Sequence, residues 1–230
     1  MGRLQKYGVY PYAVSKWYRG LTISSPDRSP IQLYHGTTPP DSTVYNDYLV
    51  GGLTVTRGNS APDLVELRDN IELYGFAGTG LTVEQVYFSI HILHDYLLGQ
   101  RPTLHIHWVH NNASPSGSVK WQVDLTVSKG YSQGIFDTPI TYSVVQEAGA
   151  QYTHHITDDD SMVLNAAQSA MLEPDSILVG RLYRDPADAE DTFEDDAMLV
   201  NMDLHYQIGQ VGTLERNATW DSIQNDNSQV

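Results

Sequence analysis

Two histidines one residue apart, His105 and His107, with His110 close behind, are the side chains of this 230-residue sequence best placed to do chemistry. They lie in Leu104-His-Ile-His-Trp-Val-His110, where alternation at period two predicts a β-strand. Residues i and i+2 of a strand point to the same face, so two imidazoles there can share a metal ion. His91, on the preceding predicted strand, is the candidate third ligand, with His155 and His205 as further donors. The competing reading is structural: hydrogen-bonded cross-strand pairs, or a subunit interface.

A second set is acidic. In Asp185-Pro-Ala-Asp-Ala-Glu-Asp-Thr-Phe-Glu-Asp-Asp196, the carboxylates of Asp185, Asp188 and Asp191 are candidate Ca²⁺ ligands. The run lacks the glycine and terminal glutamate of an EF-hand loop, and a solvated connection between strands explains it equally well. No nucleophile stands out. Cysteine is absent, and no Gly-x-Ser-x-Gly elbow occurs. Gly75-Phe-Ala-Gly-Thr-Gly80 is not a phosphate loop, because no Lys-Ser/Thr follows and a strand comes next. No cofactor is expected, and no residue pattern argues for an enzyme.

The elements that must position these residues are strands. Val86, Phe88, Ile90 and Ile92 fall on one face of a first run, and Leu104, Ile106 and Trp108 on one face of a second. Val119, Trp121, Val123, Leu125 and Val127 do so in a third. Leu98-Gly-Gln-Arg-Pro102 and Asn111-Asn-Ala-Ser-Pro-Ser-Gly117 are turn chemistry. The three runs read as an antiparallel meander with His91, His105, His107, Lys120, Gln122 and Asp124 on the opposite face. Further strands are expected at 49–57, 63–67, 71–76, 140–146, 151–157, 177–184 and 198–208, with Arg68-Asp-Asn as a turn. Met198, Val200, Met202, Leu204, Tyr206 and Ile208 should share one face of the last. Ser161–Met171 reads as one strand ending in a loop. Nine or ten short strands with almost no helix predict an all-β fold, an antiparallel β-sandwich or jelly roll, over residues 49–209.

Residues 1–48 read differently, as an extended arm. Tyr7, Tyr10, Tyr12, Trp17, Tyr18 and Tyr34 are interleaved with prolines, and no helical or strand period persists. Aromatics in such numbers suit docking onto another surface, since they bury large areas at small rotamer cost. Residues 210–230 form a polar tail. Net charge is −15. Residues 1–60 hold six basic and three acidic groups, while the remainder holds seven and 25. So acidic a body repels nucleic acid. No apolar run approaches the ~18 residues of a membrane span, so neither nucleic acid nor membrane is an expected partner.

The central and C-terminal stretches resemble a family of tailed-bacteriophage virion proteins. The matching residues are Phe88-Ser-Ile-His-Ile-Leu-His-Asp, Thr103-Leu-His-Ile-His-Trp, Gly117-Ser-Val-Lys-Trp, the run from Arg181 through Asp196 to Leu199, and Asp203-Leu-His-Tyr-Gln. The resemblance spans roughly residues 60–208 and carries no catalytic residues. It implies a β-sandwich component of the virion, assembled in the host cytoplasm, that decorates or cements the capsid or joins the neck and tail. Its partners would be capsid, portal or neck, and tail subunits, with a homo-oligomer, a trimer by family analogy, as its own state. Two rival functions stay open. One is a receptor- or glycan-binding adhesin module of the tail. The other is a metal-dependent enzyme, since a jelly roll with a His-x-His strand resembles the cupin site. The cupin pattern wants a glutamate where Val109-His-Asn-Asn-Ala-Ser stands.

Overall fold

The computed structural model describes residues 44–51, 56–130, 134–158 and 160–208, the first segment as backbone only. Tyr7, Tyr10, Tyr12, Trp17, Tyr18 and Tyr34 of the arm, and the tail from 209 onward, lie outside the described residues. In chain order the strands are β1 (Val44–Gly51), β2 (Thr56–Arg57), β3 (Asp63–Arg68), β4 (Ile71–Phe76), β5 (Glu84–His91) and β6 (Thr103–Val109). They continue as β7 (Ser118–Ser128), β8 (Ile140–Glu147), β9 (His155–Ile156), β10 (Ile177–Arg184) and β11 (Ala197–Ile208). One helical turn, α1 (Ala166–Ser169), stands between β9 and β10.

The pairing is a nested hairpin. β4 pairs with β11, β5 with β10, β6 with β9 and β7 with β8, all antiparallel. Rolling that hairpin up sets β11 beside β6 and β10 beside β7. The result is two sheets, β4-β11-β6-β9 and β5-β10-β7-β8, the arrangement of a jelly roll. β3 extends the first sheet beyond β4, β2 extends the second beyond β5, and β1 pairs with the second half of β11. The protein is an all-β sandwich, as its alternating runs imply.

The three central runs are not a meander. β6 lies in the first sheet, whereas β5 and β7 lie in the second with β10 between them. The connections at 92–102 and 110–117 therefore cross from sheet to sheet. Alternation assigns faces correctly here, because Val86, Phe88, Ile90, Leu104, Ile106, Trp108, Val119, Trp121, Val123, Leu125 and Val127 all sit in one core. It is blind to which sheet each strand joins. The core closes on edge-to-face contact between Phe76 and Trp121, ring centroids 5.1 Å apart, with Trp108 at 6.3 Å from Trp121.

Other local differences have local causes. β11 carries a one-residue bulge at Val200, because Leu199 faces Trp108 while Asn201 faces His107. Ala197 and Leu199 therefore join Met202, Leu204 and Tyr206 in the core, and Val200 turns out to solvent. Ser161–Met171 is not a single strand. Only Val163 makes a bridge, to Thr103, and Asn165 then caps α1 by accepting from the Gln168 amide at 2.8 Å. β9 shrinks to two residues. β1 begins at Val44, so it straddles the boundary that composition places at 48/49. The Arg68–Ile71 turn stands as expected, with Asp69 and Asn70 at φ 49° and 68°, as a two-residue hairpin requires.

Candidate functional site

The outer face of the first sheet gathers the histidines. In the β6–β11 register His105 faces Asp203 and His107 faces Asn201. His107 Nε2 lies 3.0 Å from Asp203 Oδ2, and His105 Nδ1 lies 3.2 Å from Oδ1, so both imidazoles address one carboxylate. Asp203 is buried. Burial pushes its carboxyl up, but the contacts and charges of His105 and His107 outweigh that and hold it below the usual carboxylate range. The second nitrogen of His107, Nδ1, lies 2.9 Å from Nε2 of His154, and the two rings stack at 5.0 Å. His205, two residues beyond Asp203 on β11, packs against His105 at 5.2 Å.

A second group adjoins it. His155 stacks on Trp108 at 4.3 Å and 19°, and lies 6.0 Å from the ring of His110. His110 is wholly buried and donates from Nε2 to the Gly149 carbonyl at 3.0 Å. Burial, then the proximity of His110 and His154, lowers the pKa of His155.

These placements decide what the His-x-His strand can do. His105 and His107 share a face, as their spacing predicts, but that face looks away from the core formed by Leu104, Ile106 and Trp108. A metal held inside the sandwich, in the cupin manner, would need them to point the other way. His91 is not brought to them. It sits on β5 in the other sheet, where its Nε2 lies 3.0 Å from Asp175 Oδ1, shared with His94 at 3.3 Å. Among the described residues no three His, Asp or Glu side chains converge on a point that could hold a metal ion. The arrangement is a set of imidazole–carboxylate and imidazole–imidazole contacts centred on Asp203 in one sheet and on Asp175 beside the other.

Asp185, Asp188 and Asp191 are likewise separated in purpose. Asp191 is buried in an ion pair with Arg184, whose Nε and Nη2 reach its two oxygens at 2.9 and 2.7 Å. Arg184 Nη1 donates to the carbonyls of Phe76 and Asp195, each at 2.7 Å, and Nη2 also to that of Phe193. All five guanidinium N–H groups are thereby used. Asp188 receives Lys120 Nζ at 2.8 Å, shared with Glu190 at 2.9 Å. That hydrogen bond lowers the pKa of Asp188 and raises that of Lys120. Asp185 accepts from the Ala187 amide. Gly117, at φ +94°, lets β7 begin against the same loop, where a Cβ would lie 2.3 Å from the Thr192 carbonyl. The acidic run is a loop tied down by two cations.

Sequence reasoning missed His154 and Asp175, and gave Asp203 no part in the histidine site. The adjacent pair His154-His155 was the available signal for the first. Asp203 becomes visible only with the β6–β11 register in hand. Arg184 gave no signal, since a strand-terminal arginine is ordinarily solvated.

No protein-family model matches this chain, and no curated protein matches it in sequence. Solved structures similar to parts of it include the Arthrobacter globiformis T6 isomalto-dextranase complexed with panose, at 15% identity and a TM-score of 0.33, covering 70% of this chain and 23% of that one. They also include chains of infectious bursal disease virus. The Gx strain gives 11% identity and a TM-score of 0.35 over 87% of this chain and 39% of that one. The Gt strain gives 12% and 0.30 over 84% and 37%. This chain thus spans less than two-fifths of the length of each neighbour. Likeness of this size transfers no activity, ligand or partner.

Proposed function

We propose that this chain is a non-enzymatic structural component of a tailed-phage virion, a jelly-roll body anchored by the part of its N-terminal arm that precedes β1, which decorates or cements the capsid or joins the neck and tail assembly. One observation carries the reading. The longest stretch resembling phage virion proteins, Arg181 to Leu199, runs from the end of β10 through the connection into β11, and three acids of that connection are paired with strand cations that hold it against the body. Arg181 pairs with Asp124, Arg184 with Asp191, and the loop acids Asp188 and Glu190 with Lys120. These contacts serve the fold, which supports a structural reading of the stretch. A rigid, outward-facing sandwich with an aromatic arm suits assembly onto other subunits, where extended segments fill grooves or add strands.

The test is a deletion that stops at residue 43, because β1 begins at Val44 and must be kept. The shortened chain is expected to fold, giving the β-type circular dichroism of the full chain. It should then be depleted at least about tenfold from purified particles, as loss of about 1.4 kcal/mol or more of docking energy would give. Undiminished incorporation would overturn the anchoring role. An adhesin carried on the tail would instead keep its place in the particle and bind host polysaccharide saturably through the isolated body.

A further inference from the structure

Six of the nine histidines in the sequence crowd around β6, β9 and β11. That density has no explanation in the anchoring reading and is independent of it. The element they surround is the shortest strand of the jelly roll. β9 pairs through His155 and Ile156 alone, opposite Trp108 and His107, at the edge of its sheet. Its other fastenings are few. The Thr157 amide donates to the Ile106 carbonyl at 3.1 Å, the Ile106 amide to Thr157 Oγ1 at 3.0 Å, and Gln146 Nε2 to the Ile156 carbonyl at 2.8 Å. Ahead of the strand, the Tyr152 amide donates to the His110 carbonyl at 3.0 Å, Gln151 Nε2 to the Asn111 carbonyl, and Arg68 lies over the Tyr152 ring. At the strand itself the remaining contacts are imidazole: His154 on His107, and His155 flat on Trp108 with its Nε2 accepting from the Gly149 amide.

We propose that β9 is an acid-sensitive latch: protonation of His154 and His155 releases the segment around 149–157 from β6 and uncovers Trp108. The hydrogen-bond logic dictates the direction. His107 donates Nε2–H to Asp203, so its Nδ1 is an acceptor and His154 Nε2 must donate to it. A first proton on the pair is tolerated, because Asp203 balances an imidazolium on His107 and His154 can change tautomer. A second sets two N–H donors and two positive charges 2.9 Å apart. His155 fails in the same sense. Protonated, it loses its role as acceptor for Gly149 and carries a charge into the space beside His110.

Titratable groups face the latch from two strands and from its own flanks. β6 contributes His105, His107 and His110, β11 contributes Asp203 and His205, and the segment's own flanks bear Glu147, Asp158 and Asp160. Asp203 meets two of the cluster's imidazoles, His105 and His107. For His155 the sign is explicit. Its closed-state pKa lies below the ordinary value, so the closed latch is fully stable above about pH 6.5 and loses stability as pH falls through and below that value.

The experiment is amide hydrogen exchange on the full chain at about pH 7.5 and about pH 5.5, on either side of the ordinary histidine pKa, corrected for the pH dependence of chemical exchange. Tryptophan fluorescence follows in parallel. The amides of 155–157 should lose protection by at least about tenfold at the lower pH while β7 and β10 keep theirs, and the tryptophan signal should change over the same interval. In the double variant His154→Gln, His155→Phe, which keeps a donor to His107 and a ring on Trp108 without a titrating group, this response should disappear. Unchanged protection at 155–157 in the unmodified chain would overturn the latch. So would simultaneous loss in β7 and β10, which is global acid unfolding, or a response that persists in the double variant.

Discussion

Replacing Arg184 with methionine is expected to lower the unfolding free energy by about 3–5 kcal/mol, the cost of leaving a buried carboxylate uncompensated. Both side chains of the Arg184–Asp191 pair are fully buried. The loss goes beyond charge, because the carbonyls of Phe76, Phe193 and Asp195 lose their donor as well. Adding Asp191→Asn should recover part of the loss by removing the unpaired charge, but not the part owed to the carbonyls. Urea denaturation of the two variants checks this: the double variant should have the higher midpoint with a similar slope. A typical domain is stable by only about 5–15 kcal/mol, so the single variant should be marginal at working temperature. If Arg184→Met costs less than about 1 kcal/mol, the loop is not held in the manner described.

Trp121→Ala is expected to cost a similar amount, about 3–5 kcal/mol. Trp121 is fully buried where the two sheets meet, edge-on to Phe76 and beside Trp108. Truncation leaves a cavity that rigid strands on both sides cannot fill. Trp121→Phe should cost far less for a specific reason. The indole Nε1–H of Trp121 is buried without a hydrogen-bond partner. Phenylalanine removes that donor, and its desolvation penalty of about 1–3 kcal/mol offsets much of the lost volume. Thermal or urea unfolding of both variants checks the contrast. Equal losses would contradict this, because a phenyl ring would then recover nothing of what the indole supplies.

The faces of the strands were legible in the sequence because burial on a pleated sheet has period two and the core residues of β5, β6 and β7 keep that period without a break. Their partners were not. Nothing in Phe88, Trp108 or Trp121 distinguishes a neighbouring strand from one on the opposite sheet, and the connections flanking β6 are long enough for either path. The bulge at Val200 was hidden in a run, Met198-Leu-Val-Asn-Met, in which apolar residues occupy both phases. The His105–His107 pair was recognised as sharing a face, but its chemistry depends on Asp203, 98 and 96 residues away, which enters only through the β6–β11 register. The acidic run was recognised as a loop. What holds it, Arg184 and Lys120, lies on strands whose polar residues look solvent-directed until the loop folds back on them.

The measurement that bears most directly on the account is quantitative mass spectrometry of virus particles purified from cells producing the chain, before and after a high-salt wash. The account predicts a fixed copy number per particle, in constant ratio to the major head or tail subunits and retained through the wash. Absence of the chain from the particles, with the protein abundant in the producing cells, would contradict it.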